Sequence, residues 1–155
     1  ARLVEPQAPN VSKRFETMRI LSEAGIPTGI SVAPIIPGLN EEAIPELLSR
    51  AKSAGATSAT CSLLRLPGHV ETVFLDRMRE AFPDRISKII HRLQEVRGGQ
   101  LSEGGFFSRH HGNGTYWRCV EQLFDVGRRR AGFVEEDRPV PRTFRRPTAQ
   151  QSLFD

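Results

Sequence analysis

Cysteine is scarce in this chain of 155 residues, which has only Cys61 and Cys119. The two lie far apart, and neither a C-x-x-C spacing nor a further cysteine accompanies them. A disulfide framework and a cysteine-rich metal site are therefore not indicated. Because free cysteines are usually interior, we expect both to be buried thiols.

Long apolar runs are also missing. No stretch approaches the roughly 20 apolar residues that a membrane span requires, and we expect no secretory leader. We therefore expect no membrane partner and a cytoplasmic location. Hydrophobic residues make up 38% of the chain, which could supply the core of one ordinary domain.

Positive charge is concentrated near the end of the chain. Residues 128–146 hold seven arginines against three acidic residues, and this excess equals the whole formal net charge of +4. A nucleic acid or another anionic partner would bind there. The alternative is a solubilising tail, because residues 132–155 are rich in proline and arginine and poor in apolar side chains. We expect that tail to be disordered.

Helix and strand patterns alternate in the first part of the chain. Apolar spacing predicts helices over 12–24 and 45–54 and strands over 26–33 and 57–64. Asn10 or Ser12 can cap the first helix, and Gly25 and Gly55 follow the two helices thirty residues apart, the length of one βα unit. This alternation indicates an α/β fold with a parallel sheet and helices packed outside it.

The segment from Thr28 to Glu41 is the most informative, because a strand there runs into a Pro-Gly loop that opens a helix. Asn40 is a candidate N-cap for that helix, and Glu41 suits its first turn. Ligands of parallel α/β sheets bind at the carboxyl ends of strands. This loop is therefore the first candidate for a binding surface.

A third strand is not evident. The later patterns are helical, over 70–82, 84–96 and 115–131, with a glycine-rich segment between the last two. Two parallel strands alone leave unpaired edges and an uncovered face. We interpret the chain as the rear portion of a larger α/β protein or as a fragment held together by a partner.

Four segments carry a family resemblance: EPQAPNVSKRFETMRILSEAGIPTGISVAPIIPGLNEEAIPELL, ATSATCSLLRLPGHV, RLQEVRGGQLSEGGFFSRHHGNGTYW and FRRPTAQQSLFD. Together they resemble the C-terminal half of a radical S-adenosylmethionine enzyme of the spore-photoproduct-lyase-like branch. The resemblance implies that residues 1–68 are the rear βα units of a partial (β/α)6 TIM-type barrel with parallel strands. Residues 69–131 would then be a helical C-terminal extension, and 132–155 a basic tail.

Enzymes of this family hold a [4Fe-4S] cluster on a C-x3-C-x2-C loop and cleave S-adenosylmethionine to a 5′-deoxyadenosyl radical. This sequence contains neither that loop nor the early strands. The resemblance implies a lyase-like parent enzyme with both cofactors, acting on nucleic acid in repair or modification. This chain alone should bind neither cofactor and be inactive, and its first expected partner is the missing N-terminal half of the same protein.

The family pattern G-x-I-x-G-x-x-E matches residues 34–41 at every fixed position except the first, where Pro34 replaces glycine. The resemblance implies that this segment lines the adenine side of the cofactor. Ile36 would offer an apolar face, and Gly38 would let the backbone approach the ligand. A plain strand-to-helix turn is the alternative.

Further cofactor contacts are expected around the first strand. Arg14, or its neighbour Lys13, could meet the carboxylate of the cofactor's methionine, and Ser31 is a second polar candidate. Helix-surface cations are often only solvated. Ser31 alternates with apolar neighbours, so its side chain points either into a barrel interior or toward the helices.

Arg65 directly follows the second strand and could hold a substrate phosphate or carboxylate through its planar fork. A surface arginine that closes a strand is the alternative. His110 and His111 are adjacent in a loop, but a metal site would need more ligands. We therefore assign no metal site and no catalytic residue.

Gln150, Leu153 and Phe154 resemble the Q-x-x-L-F peptide by which bacterial DNA-repair and replication proteins dock on the sliding clamp. Leu153 and Phe154 would fill an apolar pocket, and the tail would supply reach. The sliding clamp is thus a second expected partner. A non-catalytic module that binds nucleic acid or the clamp is the alternative function.

Overall fold

The computed structural model describes residues 7–102 and 110–134. Its elements are, in chain order, helix α1 (Val11–Glu23), strand β1 (Gly29–Ile35), helix α2 (Ile44–Ser53), strand β2 (Ser58–Leu63), and helices α3 (Val70–Ala81), α4 (Ile86–Val96) and α5 (Gly114–Arg130). A short 3-10 turn, Glu41–Ala43, precedes α2. The predicted mixed α/β class is confirmed, and the predicted bounds differ from the observed ones by at most three residues.

Local signals explain the bounds of α1. Asn10 is its N-cap, since its side-chain oxygen accepts a hydrogen bond from the Lys13 backbone N–H at 2.8 Å. Gly25 follows the helix with φ of +76°, a left-handed conformation that suits glycine. Of the two predicted caps, Asn10 is therefore the one used.

The sheet is parallel, as predicted, and in the described residues it has two strands. Gly29 lies opposite Ser58 and Val32 opposite Cys61, after which the register shifts. Just after β2, the Leu64 N–H donates to the carbonyl of Ile35, the last residue of β1, at 2.9 Å.

The two faces of this sheet differ. Apolar side chains of one face, including Val32 and Leu63, enter the main core with α2 and α5. The residues of the opposite face are small or polar. Those exposed are Gly29, Ser31, Ala33, Ser58 and Thr60, whereas Ser62 is half-buried. One face is thus covered by helices, as in a layered α/β protein.

A second core lies beyond the carboxyl ends of the strands. It joins the segments after β1 and β2 to α3 and α4, and its buried members are Ile36, Leu64, Leu66, Met78, Ile89 and Leu93. The helices that follow β2 therefore pack at the edge of the sheet where a ligand is expected.

The prediction that both cysteines are buried is wrong for Cys119, which is exposed, whereas Cys61 is half-buried. The buried side of α5 is formed by Trp117, Val120 and Phe124. Cys119 falls on the opposite side of that helix because of the helical period. Separately, no helix in the described ranges has the length and apolar character needed to cross a bilayer.

Candidate functional site

The loop after β1 is closed by Asn40. Its side-chain oxygen accepts a hydrogen bond from the Ile36 N–H at 2.8 Å, and its amide nitrogen donates to the Pro34 carbonyl at 3.0 Å. Asn40 makes no capping bond to the turn that follows. The prediction that Asn40 is the N-cap residue is thus confirmed for the 3-10 turn, but the side chain bonds within the preceding loop and does not cap the turn.

Glu41 holds the same loop from its other end. Its Oε1 accepts hydrogen bonds from the Gly38 N–H at 2.8 Å and from the Tyr116 hydroxyl of α5. Burial opposes ionisation of Glu41, but the hydrogen bonds from Tyr116 and from backbone N–H groups outweigh it and lower the pKa of Glu41 below its ordinary 4.5. Burial and the bond to Glu41 together raise the pKa of Tyr116 to about 12. Near neutral pH a charged carboxylate thus accepts from a neutral phenol.

Arg92 of α4 completes this arrangement. Its guanidinium carbon lies 4.3 Å from the centroid of the Tyr116 ring, a distance typical of a cation–π contact. The same guanidinium is 2.5 Å from Glu95. The phenol is therefore held by α4 on its ring face and by Glu41 at its hydroxyl.

Ile36 and Gly38 are both buried by packing against other parts of the protein. Ile36 is only 5% exposed and belongs to the second core. Gly38 is buried with φ of +83°, and a Cβ there would lie 3.3 Å from the Lys88 side chain of α4. The close backbone approach predicted for Gly38 is thus made to α4, and a contact of either residue with a cofactor stays a prediction.

A groove of about 290 Å³ runs between α1 and β1. Arg14 and Ser31 both line it, so the structure brings together two of the residues selected from the sequence. The groove's other lining residues include Val11, Phe15, Met18, Pro34, Asn40 and Leu47. Lys13 is exposed and is not part of this lining.

Ser31 lies on the exposed face of the sheet, whereas its neighbours Ile30 and Val32 pack toward the helices. Of the two directions that the sequence left open for the Ser31 side chain, the structure shows the one that points away from the helical layer. Arg65 is exposed just beyond β2, as predicted, but it does not line the groove.

Arg97, which the sequence pattern did not single out, is a buried arginine at the end of α4 with 5% exposure. Its two terminal nitrogens donate to the carbonyls of Leu64 at 2.9 Å and of His111 at 3.0 Å. The signal available in the sequence was its place directly before Gly98 and Gly99, at the end of a helix.

The segment that contains His110 and His111, here called the histidine loop, is hydrogen-bonded to β2. The Leu63 N–H donates to the His110 carbonyl at 3.0 Å, and the His110 ring Nδ1 lies 3.2 Å from the Ser62 hydroxyl. His110 and His111 thus lie at the outer edge of β2. Across the described ranges, no group of three or more His, Cys, Asp or Glu side chains is placed to hold a metal ion.

The tail residues Gln150, Leu153 and Phe154 lie outside the described residues. Their proposed contact with a sliding clamp stays a prediction. The expected disorder of residues 132–155 is wrong for 132–134, because Phe133 is 5% exposed and packs in the main core; the rest of that prediction lies outside the described residues.

Curated proteins similar to this chain include uncharacterized proteins of Mycobacterium bovis and Mycobacterium tuberculosis, each 30% identical over 89 residues. The match covers 56% of this chain and 26% of each relative. The chain therefore spans about a quarter of the length of the curated relatives it matches. No protein-family model matches the chain, and no solved structure matches it significantly.

Proposed function

We propose that the chain is the C-terminal part of a radical S-adenosylmethionine enzyme related to spore photoproduct lyase. The segment at residues 34–41 carries the proposal, because it matches the family pattern except at Pro34 and spans the end of β1 and the loop after it. That is the position at which such sheets bind ligands. In the complete enzyme, the cluster and S-adenosylmethionine would together supply a 5′-deoxyadenosyl radical.

The open edge of β1 supports the barrel part of the proposal. Within the described residues β1 pairs with β2 alone, and its other edge borders the groove. The preceding helix α1 has no fully buried residue and exposes Ile20 and Leu21. An unpaired edge beside uncovered apolar groups is a place for a further strand. We propose that a parallel strand of the complete protein pairs with this edge and leaves the groove open at the carboxyl end of β1, and that the exposed sheet face, with Ser31, lines the interior of a partial (β/α)6 barrel.

The groove supports a place for the amino-acid end of the cofactor. Arg14 lines this groove, and its Nε donates to the Pro9 carbonyl at 3.2 Å. A guanidinium binds a carboxylate more strongly than a neutral donor does. Ser31 also lines this groove, and its hydroxyl remains the second polar group proposed to contact the cofactor. Arg65, at the carboxyl end of β2, remains the proposed contact for a substrate anion.

Anaerobic reconstitution of the complete protein tests this proposal. We expect the reading frame that contains this sequence to encode C-x3-C-x2-C, and the reconstituted protein to release 5′-deoxyadenosine from S-adenosylmethionine when reduced. A reading frame without that motif, or a cluster-loaded protein that releases no 5′-deoxyadenosine, would contradict it.

A pair of neighbouring variants tests the groove in the same assay. Arg14→Gln should raise the KM for S-adenosylmethionine about tenfold, which corresponds to about 1.4 kcal/mol for one lost charge-assisted contact. Lys13→Gln is the matched control, because Lys13 lies outside the groove lining, and its KM should stay unchanged. Equal KM values in both variants would remove Arg14 from the cofactor site.

The alternative, a non-catalytic module for nucleic acid, is favoured by the three consecutive arginines in the last turn of α5. A complete protein that releases no 5′-deoxyadenosine but binds DNA with a strong salt dependence would support that alternative.

A further inference from the structure

The loop at residues 36–41 depends on a helix far away in the sequence. Tyr116, which donates to Glu41, is 75 positions later in the chain. Two of the helices after β2, α4 and α5, therefore reach back to the segment that matches the family pattern.

The geometry makes Tyr116 a main determinant of the Glu41 conformation. One carboxylate oxygen of Glu41 accepts both the Gly38 N–H and the Tyr116 hydroxyl. The other, Oε2, is buried and has no hydrogen-bond partner within the described residues. If the phenol is removed, backbone N–H groups such as that of Gly38 are the remaining donors to this carboxylate among the described residues.

The position of Tyr116 is itself fixed. Arg92 stacks on its ring, and the adjacent Trp117 is 2% exposed in the main core. A hydroxyl on a ring held in this way needs little further ordering to donate its hydrogen bond. Through this bond, the conformation of the loop depends on how α5 is packed.

We propose that Tyr116 is a positioning residue, which holds Glu41 and through it the loop at 36–41 in the conformation that accepts the adenosine part of S-adenosylmethionine. The glutamate of the family pattern then acts on the loop and does not contact the ligand. The ligand named here rests on the proposed function, whereas the hold of Tyr116 on the loop does not.

Hydrogen exchange measured by mass spectrometry on the 155-residue chain tests the hold on the loop. Tyr116→Phe keeps the ring and its stacking but removes the hydroxyl. We expect amide exchange over residues 36–41 to become about tenfold faster, because a hydrogen bond to a charged group is lost at a partly exposed site. Exchange in α2 and α4 should stay unchanged. Cys119→Ala is the control, since Cys119 is exposed on the same helix. Equal exchange of the loop in Tyr116→Phe and wild type would overturn the proposal.

Kinetics of the complete protein test the link to the cofactor. Tyr116→Phe should raise the KM for S-adenosylmethionine several-fold with kcat little changed, whereas a merely structural loss would reduce the folded fraction and kcat together. Faster loop exchange with an unaltered KM would overturn the link between loop and cofactor. If wild-type protein releases no 5′-deoxyadenosine, the proposed function fails, and the exchange experiment still decides whether Tyr116 holds the loop.

Discussion

Replacement of Arg97 by methionine should destabilise the chain more than any exposed arginine replacement. The Arg97 guanidinium, buried at the end of α4, donates to the carbonyls of Leu64 and His111. Methionine fills a similar volume but donates no hydrogen bond, so both carbonyls lose these charged donors. The end of β2 and the histidine loop would then lose a common anchor.

The magnitude follows from these two bonds. A hydrogen bond to a charged group contributes about 1.5–3 kcal/mol, so the two together contribute about 3–6 kcal/mol. Relief of the cost of burying a guanidinium offsets part of this. We therefore expect Arg97→Met to lower the free energy of unfolding by about 2–4 kcal/mol, a large fraction of the roughly 5–15 kcal/mol typical of a domain.

Urea unfolding followed by the fluorescence of Trp117, the single tryptophan of the chain, measures this effect. The matched control is Arg77→Met, since Arg77 forms an exposed ion pair with Glu80 at 3.0 Å. That control should change the free energy by about 0.5 kcal/mol or less. Arg97→Lys keeps the charge but not the planar fork and should fall between them. Equal unfolding midpoints for Arg97→Met and Arg77→Met would refute the anchoring role of Arg97.

Three further predictions concern the loop and the thiols. Gly38→Ala should lower the free energy of unfolding by about 1–2 kcal/mol through left-handed backbone strain, and further through the contact of the new Cβ with α4. Gly25→Ala is the control, because its Cβ position is open and only the strain remains. A smaller loss for Gly38→Ala than for Gly25→Ala in thermal unfolding would contradict the contact with α4. Iodoacetamide at pH 8 should alkylate the exposed Cys119 at least tenfold faster than Cys61. The reason is that burial, and to a smaller extent nearby acidic groups, raise the pKa of Cys61 to about 11. Equal alkylation rates of the two thiols, measured by peptide mass spectrometry, would argue against the burial of Cys61. The lowered pKa of Glu41 means that its stabilisation is present above about pH 4.5 and is lost as pH falls through the lowered value. The stability difference between wild type and Glu41→Gln in urea unfolding should therefore shrink below about pH 4.5, and a difference that stays constant from pH 7 to pH 3 would contradict this assignment.

The positions of the helices and strands could be predicted from the sequence because their signals are local. Apolar spacing and terminal glycines such as Gly25 act within a few residues of one another. The parallel pairing of β1 and β2 followed from the helix between them. Arg14 and Ser31 were likewise selected from their places on α1 and β1, and the structure puts both on one groove.

The hydrogen-bond partners and packing contacts of the loop side chains could not be predicted in this way. Asn40 occupies the predicted cap position, but its side chain bonds within the preceding loop. Ile36 lies in a core whose other buried members come from residues far along the chain. Local patterns show that a side chain is apolar or a good cap, but they do not show which distant group will lie beside it.

The sequence by itself thus determined the α/β order and located the loop at residues 34–41. Only the tertiary structure decided that Tyr116 and Arg97 hold that end of the sheet, through contacts with Glu41 and Leu64 that span 75 and 33 residues. The physical reason is that a hydrogen bond depends on the distance and direction between two groups in space, and these are set when the helices pack and not by the spacing of residues along the chain.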